Sequence, residues 1–553
     1  MERTRILKQN KNQSCQADGY FHAVTLASRI MRNTANFYIR NTMTGIKKSP
    51  EERTLNETEV LHYVFTGIQK ANLGAMDRYR KILEEATHVS GHTRLLILKK
   101  AFDVVIFSYP TRQKWFLSYE KLNAIFCHTD NPHYRNMYSS LAQNAIKKAC
   151  ADWKDYFASL KKYKKDPSGY KARPNMPGYI KTETAEAWFT NQASRVFESG
   201  GRLYLTFCQC SAIFPVGKTS DFAGMKYLKT EVCPEYGEYV IHVTFQDKSI
   251  GKVCPPKKPK RLLGIDVGLT NLAAVANNFG AVPFLIRGGA VKSMNQWYNK
   301  RKAELTSAAT RGKKTTHAVS TNATNALSRK RNDFIRDAFY KYAHRIIQYA
   351  VDNNVDAIIV GNNEDIKQEI SLGRQNNQAF VSIPFYKFRQ ILAVVAAKAG
   401  IPVVAIEESY TSKASVVDRD KIPVYGKEPK NFSFSGARFQ RGLYRTKDGH
   451  VLNADINGAA NIIRKAYPHA FDDVKDFSYL WKTTVVLSPR VEQPFLPTQK
   501  QDKSRKTRKP GLAASLRRKS HMEKLTELRI AWKWTKAKPV GKKEKASDST
   551  EAA

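Results

Sequence analysis

The chain has 553 residues, 42% of them hydrophobic, which is long enough for several packed domains and excludes a disordered polymer. Lys and Arg number 92 against 49 Asp and Glu, giving a formal net charge of +43 that a merely soluble surface does not need. Because the basic residues run through nearly every segment, we predict a polyanionic partner bound along an extended nucleic-acid channel.

The cysteines and the N-terminal residues indicate the cellular compartment in which the protein works. Seven cysteines, an odd number without a regular framework, are typical of a reducing environment. The N-terminus shows no apolar signal core, and no run approaches the roughly 20 apolar residues of a membrane span. We therefore expect no membrane partner and a cytoplasmic, nucleoid-associated protein. In a eukaryotic host the tail run KSRKTRK would either direct the protein to the nucleus or bind RNA.

The N-terminal half predicts a helical segment inserted into a β-rich one. Residues 1–25 have an extended pattern, and residues 26–163 have a helical one. A run rich in glycine and proline ends the helices, and residues 164–260 alternate as strands do before a proline-rich linker. We predict a wedge-like β-barrel built from the first and third segments, with a helical domain between them.

The C-terminal half predicts an α/β domain over residues 261–486. Three strands come first, then a long helical region with a polar interruption, then alternating strand and helix. The predicted strands are 261–267, 271–276, 282–287, 356–360 and 402–406, and the predicted helices are 291–352, 384–399 and one that opens at Asp455. This order is that of an RNase H-like domain. Residues 487–553 are predicted to form a basic, mostly flexible tail with one short helix.

Two acids stand at the ends of these elements. Asp266 ends the first strand, directly before a turn that contains Gly268. Asp455 opens the last helix, where it could alternatively serve only as the N-cap. No His or Cys cluster accompanies them, so hard carboxylate oxygens, which suit Mg²⁺, are the available ligands.

The order of several motifs resembles the TnpB-type family (OrfB), transposon-encoded RNA-guided DNA endonucleases related to type V CRISPR effectors. The resemblance spans roughly residues 137–466. The runs that carry it are SSLAQNAIKKACADWKDYF, YKARPNMPGY, IDVGLTN at 265–271, SRKRNDFIRDAFYKYAHRII, YTSKAS at 410–415 and DINGAANIIRKA at 455–466. It implies a multidomain α+β, bilobed fold: a wedge β-barrel with a helical recognition insertion, followed by a RuvC nuclease domain.

The first departure from the family pattern concerns a zinc ribbon, which the family often carries between the YTS segment and the last aspartate. The interval 416–455 contains no cysteine, so we expect no zinc there. A small apolar cluster is the predicted replacement, with Phe432, Phe434, Phe439, Leu443 and Tyr444 as its members.

A second departure concerns the middle acid, because Gly361 occupies the place after strand 356–360 where the family has it. The candidates are Glu364, Glu407 and Glu408, and we favour Glu408, in line with a subset of the family that includes the Fanzors. From strand 402–406 a glutamate must reach across roughly two strand spacings of ~4.8 Å each, and a glycine in between leaves the path open. Glu407 would then point away as a spectator.

The resemblance implies two-metal hydrolysis of target DNA. Asp266 would bridge two Mg²⁺ ions about 4 Å apart, Glu408 would hold one and Asp455 the other. A guide RNA would select double-stranded target DNA by base pairing, and the N-terminal lobe would read a short adjacent motif. Arg438, Arg441, Arg445 and Lys413 are candidates for holding the strands. Two alternatives remain: a nuclease-silent RNA-guided repressor, and a guide-independent RNase H-like integrase.

Overall fold

The computed structural model describes residues 2–8, 11–170, 172–247, 253–312, 319–362, 383–424, 433–488 and 491–494. The predictions for Glu364, Phe432, the short tail helix and the run KSRKTRK fall outside these residues. In the part of the chain that is described, no helix has the length and apolar character needed to cross a bilayer.

The N-terminal region begins with strand β1 and continues as helices. The bounds are β1 Glu2–Lys8, α1 Lys11–Gly45, α2 Leu55–Thr87, α3 Gly91–Phe102, α4 Tyr119–His128, α5 Pro132–Arg135 and α6 Ser139–Lys165. Helix α1 starts well before residue 26, so the extended pattern predicted for residues 1–25 holds only for β1. The reason is a four-residue spacing of Ala17, Phe21 and Thr25, all fully buried on one face of α1.

The helices share an apolar core around Trp153, which is fully buried on α6. Its indole N–H donates to Asn36 Oδ1 on α1 at 2.9 Å, so the only polar atom of the ring is satisfied. Residues from α2 and α4 complete the core. The predicted helical domain therefore has a continuous interior of its own.

The wedge strands form two sheets. The bounds are β2 Ala187–Thr190, β3 Ser194–Ser199, β4 Arg202–Phe207, β5 Phe214–Lys218, β6 Met225–Glu235 and β7 Glu238–Asp247. One sheet has the order β1-β7-β6-β2, and the other has the order β3-β4-β5. Strands from both ends of the predicted wedge thus meet in one sheet, because β1 pairs with β7.

The predicted closed barrel is not found among the described strands. Both sheets contribute to one apolar core, and α1 inserts Phe21 into it. The Phe21 ring centroid lies 5.2 Å from that of Phe207, 5.7 Å from that of Phe214 and 5.7 Å from that of Tyr239. Helix α1 therefore packs Phe21 against strands of both sheets.

The C-terminal domain is built on a seven-stranded sheet. Its elements are β8 Leu262–Asp266, β9 Asn271–Asn277, β10 Phe284–Arg287, α7 Gly289–Thr310, α8 Asn322–Asp352, β11 Ala357–Gly361, α9 Phe385–Lys398, β12 Val403–Ile406, β13 Ala437–Gln440, β14 Leu443–Arg445, β15 Val451–Asn453, α10 Ala454–Ala466, β16 Thr484–Ser488 and β17 Val491–Pro494. The sheet order is β12-β11-β8-β9-β10-β16-β17. Strands β8, β9 and β10 are antiparallel, while β11 and β12 run parallel to β8. The predicted succession of three antiparallel strands and two parallel ones is confirmed, and β16 and β17 extend the sheet beyond the prediction.

Helices cover both faces of this sheet. Leu263 and Ile265 of β8 join the core under α8 and α9. Because side chains alternate along a strand, Asp266 belongs to the opposite face, against which α10 packs. The carboxyl ends of β8, β11 and β12 lie side by side, since the three strands are parallel neighbours. Any residue that follows these strands on the α10 face is therefore near Asp266.

The interval without cysteines holds a small three-stranded sheet, β13-β14-β15. Leu443 and Tyr444 are buried in it, and the Tyr444 hydroxyl donates to the carbonyl of Lys413 at 2.8 Å. Phe439 is 43% exposed, and the Arg445 guanidinium lies 4.3 Å from its ring centroid. Only part of the predicted apolar cluster is thus interior.

Candidate metal centre

Asp266 ends β8 on the face covered by α10. A Cβ placed on Gly458 of α10 would lie 2.8 Å from Asp266 Oδ2, so only glycine leaves room for the carboxylate there. Burial raises the pKa of Asp266 well above its usual value, with the carboxylates of Glu408 and Asp455 adding to the shift and Arg438 opposing it. The side chain is thus crowded by negative charge.

Glu408 lies two residues beyond the end of β12. Ile406, the last residue of that strand, pairs with Gly361 of β11. A Cβ on Gly361 would collide with Glu408 Oε2 and would lie 2.9 Å from Ile462 Cδ1. The glutamate therefore crosses β11 where that strand has no side chain. Burial raises the pKa of Glu408, opposed by the charge of Arg389.

Asp455 lies in the first turn of α10. Asn453 is the N-cap, because its Oδ1 accepts from the backbone N–H groups of Asp455 at 2.9 Å and Ile456 at 3.2 Å. The alternative that Asp455 acts only as N-cap is therefore wrong. Its Oδ2 accepts from Asn271 Nδ2 at 2.8 Å, and its Oδ1 pairs with Arg438 Nη2 at 2.7 Å.

The structure brings Glu408 and Asp455 close enough to Asp266 for both carboxylates to raise its pKa. Within the described part of the chain, their oxygens do not form a group in which all lie within 4.8 Å of one another. Glu407 points elsewhere: it accepts from the Ser409 backbone N–H at 2.5 Å and pairs with Lys465 of α10. Glu408 is thus half-buried beside Asp266, whereas Glu407 is exposed and forms an ion pair with Lys465.

The donor set fits divalent magnesium. All three groups offer hard carboxylate oxygens, and the described residues around them add an amide and a guanidinium but no thiolate or imidazole. Two of the carboxylates, Asp266 and Glu408, have raised pKa values. A bound divalent cation would offset this excess negative charge, which Arg438 offsets only in part.

Two asparagines of α10 fix the loop that follows Glu408. Asn457 donates to the Ala414 carbonyl at 2.7 Å, and its Oδ1 accepts from the Val416 N–H at 3.0 Å. Asn461, one helical turn later, donates to the carbonyls of Thr411 at 3.0 Å and Ala414 at 2.6 Å. Both are fully buried. The motifs YTSKAS and DINGAAN are therefore one unit, in which a single helix carries Asp455 and anchors the loop.

The four predicted basic candidates occupy different places. Arg438 lies beside the carboxylates and forms an ion pair with Asp455. Arg445 covers Phe439, the Lys413 ammonium lies 5.7 Å from the ring centroid of Tyr410, and Arg441 is exposed. Sequence reasoning did not single out Asn271, Asn457 and Asn461. All three lie inside the quoted motifs, and for Asn457 and Asn461 the available signal was a pair of polar residues four apart on the helix that opens at Asp455.

Comparisons with known proteins match the same segments. A family model described as OrfB_IS605, probable transposase, matches residues 241–367, which contain Asp266. A second, described as Cas12f1-like TNB domain, matches residues 385–462, which contain Glu408 and Asp455. The TnpB-like protein ORF457 of Acidianus two-tailed virus is 25% identical over 245 residues, 44% of this chain and 49% of that protein. The chain thus spans about half the length of this curated relative.

The similarity to TnpB-type proteins is confirmed. Solved structures similar to this chain include a Cas12f1–sgRNA–target DNA complex, 12% identical, with a TM-score of 0.41 over 84% of this chain and 98% of that one. The mini-RNA-guided endonuclease CRISPR-Cas_phi3 is 10% identical, with a TM-score of 0.37 over 63% and 86%. The fold of this chain is assigned from the strand order of its sheets and not from these TM-scores.

We expect Asn271→Ala to lower target cleavage by about 10–100-fold, the usual effect of changing a residue that orients a metal ligand. Asn271 is buried and holds one oxygen of Asp455. The measurement is the rate of plasmid cleavage at saturating Mg²⁺. The matched control is Asn278→Ala, which removes bonds to the carbonyls of Lys260 and Ala470 and from the Leu262 N–H, all at the far end of the same hairpin. Equal loss of cleavage in both variants would contradict the assignment.

In metal-free protein, Asp266→Asn is expected to raise the thermal midpoint at pH 7. The pKa of Asp266 is higher in the folded than in the unfolded state, so its ionisation costs folding free energy. That cost is absent below about pH 3.9, the unfolded pKa, and grows as pH rises through the folded pKa. The measurement is thermal unfolding of the wild type and the variant in the presence of a chelator, at pH 3.5 and at pH 7. A lower midpoint of the variant at pH 7, or a pH-independent difference, would refute the effect.

Proposed function

We propose that this TnpB-type chain is an RNA-guided endonuclease that hydrolyses phosphodiester bonds of target DNA. The observation that supports it is the arrangement of Asp266, Glu408 and Asp455. These acids come from the end of β8, the segment after β12 and the start of α10, and they lie on one face of an RNase H-like sheet.

Asp266, Glu408 and Asp455 would hold two Mg²⁺ ions, which when bound activate a water molecule and stabilise the leaving oxygen. The remaining residues position these ligands and the strand. Asn271 orients Asp455, and the glycines beside Asp266 and Glu408 leave room for their carboxylates. Arg438, which pairs with Asp455, has the planar fork of donors that binds a phosphate in a bidentate manner.

A guide RNA and double-stranded target DNA are the proposed partners. A net charge of +43 supports binding of two polyanions at once. In such complexes base pairing reads the target, and the protein holds the guide–target duplex by its shape and backbone. Recognition of a short adjacent motif belongs, in this proposal, to the N-terminal lobe.

The test is incubation of the purified ribonucleoprotein with a plasmid that matches its bound RNA, in the presence of Mg²⁺. Cutting of the matched plasmid and not of a mismatched one is the expected result. Binding without cutting would favour the nuclease-silent repressor. Cutting that needs no RNA, by protein that purifies without one, would favour the guide-independent integrase.

A further inference from the structure

Three chemically different metal-binding side chains lie together on the wedge sheet, outside the nuclease domain. Glu231 and Cys233 belong to β6, and His242 belongs to β7. A carboxylate oxygen, the Sγ atom and a ring nitrogen all lie within 4.8 Å of one another. In the described part of the chain this is the one group of three or more such residues with that spacing.

The strand register enforces this convergence. Glu231 is the direct cross-strand partner of His242, and Cys233 follows Glu231 by two residues, so all three project from the same face of the sheet. Between them, Val232 and Ile241 face the opposite way into the apolar core. The three side chains therefore meet because of the backbone pairing itself, and no loop conformation is required.

We propose that Glu231, Cys233 and His242 bind one Zn²⁺ ion. Thiolate, imidazole and carboxylate are the three side-chain ligand types of zinc, which takes four ligands in a tetrahedron. Bonds of about 2.0–2.3 Å place such ligands roughly 3.5 Å apart, which small side-chain rotations reach from the present spacing. The thiolate and imidazole exclude Mg²⁺ and Ca²⁺, which take oxygen ligands. Water completes the fourth position.

The surroundings of the carboxylate are compatible with a bound cation. Lys229 Nζ donates to Glu231 Oε1 at 2.7 Å, which leaves the second oxygen available to the metal. The same ammonium lies 4.4 Å from the ring centroid of Trp188. Lys229 thus orients the carboxylate as outer-shell partners of metal sites do, while its charge is shared with an aromatic face.

The thiol stands in a negative environment. Burial, followed by the carboxylates of Glu231, Glu235 and Glu186, raises the pKa of Cys233 to about 12. Coordination by the thiolate forms a Zn–S bond and releases the thiol proton to solvent. The carboxylates that oppose a bare thiolate favour the cation that replaces the proton.

This site is separate from the interval 416–455, where the missing cysteines led us to expect no zinc. It does not depend on nuclease function. A zinc ion here would link β6 to β7, the two longest strands of the wedge sheet, and would stabilise the folded state in proportion to its occupancy.

The experiment uses the untagged full-length protein, stripped with chelator and titrated with Co²⁺ as a spectroscopic substitute for zinc. We expect one Co²⁺ with a thiolate-to-metal charge-transfer absorption, displaced by one equivalent of Zn²⁺. The carboxylates of the nuclease domain offer no sulfur, so this absorption reports only on a cysteine site. Zinc addition is expected to raise the thermal midpoint.

Variants assign the ligands. Cys233→Ser should abolish the absorption, and the near-isosteric Glu231→Gln and His242→Gln should weaken binding at least ~100-fold, since even outer-shell changes cost 10–100-fold. Cys254→Ser and Cys210→Ser, changes at thiols outside the group, should leave the absorption intact. Absence of charge-transfer absorption in the wild type, or its persistence in Cys233→Ser, would overturn the proposal.

Discussion

Glu408→Gln is expected to lower target cleavage at least ~100-fold while guide RNA and target DNA remain bound. Glutamine keeps the size of the side chain but removes the negative charge that a metal ion needs. Glu408 is the half-buried member of the pair and interacts electrostatically with Asp266. The measurement is the single-turnover cleavage rate of matched plasmid, with filter binding of the same ribonucleoprotein to labelled target as the readout of binding.

Glu407→Gln is the matched control, because the two residues are adjacent and differ in what they contact. The Glu407 side chain is 57% exposed and pairs with Lys465, whereas Glu408 turns toward Asp266. Replacement of Glu407 should leave the cleavage rate within about twofold of the wild type. Retained cutting in Glu408→Gln would move the metal-binding role to Glu407 or Glu364, which Glu407→Gln and Glu364→Gln would then separate.

Gly361→Ala is expected to reduce cleavage by about 10–100-fold, although residue 361 takes no part in chemistry. The new methyl group would clash with Glu408 Oε2 and crowd Ile462 Cδ1. The carboxylate must then leave its present position beside Asp266. Overpacking of this kind also costs about 1–3 kcal/mol of stability, so the cleavage rate is to be compared at a temperature where both proteins are folded.

Two further variants separate the displaced carboxylate from general damage. Gly289→Ala adds the same methyl group to the nuclease domain, at a place where it meets nothing within 4 Å. Gly361→Ala combined with Ile462→Val relieves the apolar contact but not the contact with Glu408. Cleavage should be normal in the first and stay low in the second. Recovery in the double variant would show that packing, and not the position of Glu408, limits the rate.

The strands at the centre of the C-terminal α/β sheet could be predicted from the sequence because their signals are local. Strands such as Leu262–Asp266 and Ala357–Gly361 are continuous apolar runs between turn residues, as buried parallel strands are. Their order then left one common topology. No strand is predicted at β16 from the sequence, since a five-residue strand that pairs in parallel with β10 depends on contacts 200 residues away.

The wedge was harder to predict because its architecture depends on which element fills the interior. Alternating patterns gave the strands but not their partition into two sheets. The two sheets share a core that α1 enters with Phe21, a contact between segments far apart in sequence. The length of α1 was itself underestimated, since polar residues at 11–16 hide the spacing of buried residues that begins at Ala17.

The candidate metal centre, too, could be predicted only in part. Asp266 and Asp455 could be predicted because they stand at the ends of secondary-structure elements. The absence of a side chain at Gly361 indicated a glutamate that crosses β11. The partners of these acids could not be predicted by pattern. Asn271 and Arg438 come from strands far apart in sequence, and only the folded chain places both on Asp455.

The most direct test of this account is a structure of the ribonucleoprotein with target DNA and Mn²⁺ in place of Mg²⁺, with the metal located by its anomalous scattering. We predict two peaks between the carboxylates of Asp266, Glu408 and Asp455, each peak about 2.0–2.2 Å from its oxygen ligands. Peaks that Glu408 does not contact, or no metal between residues 266 and 455, would contradict it.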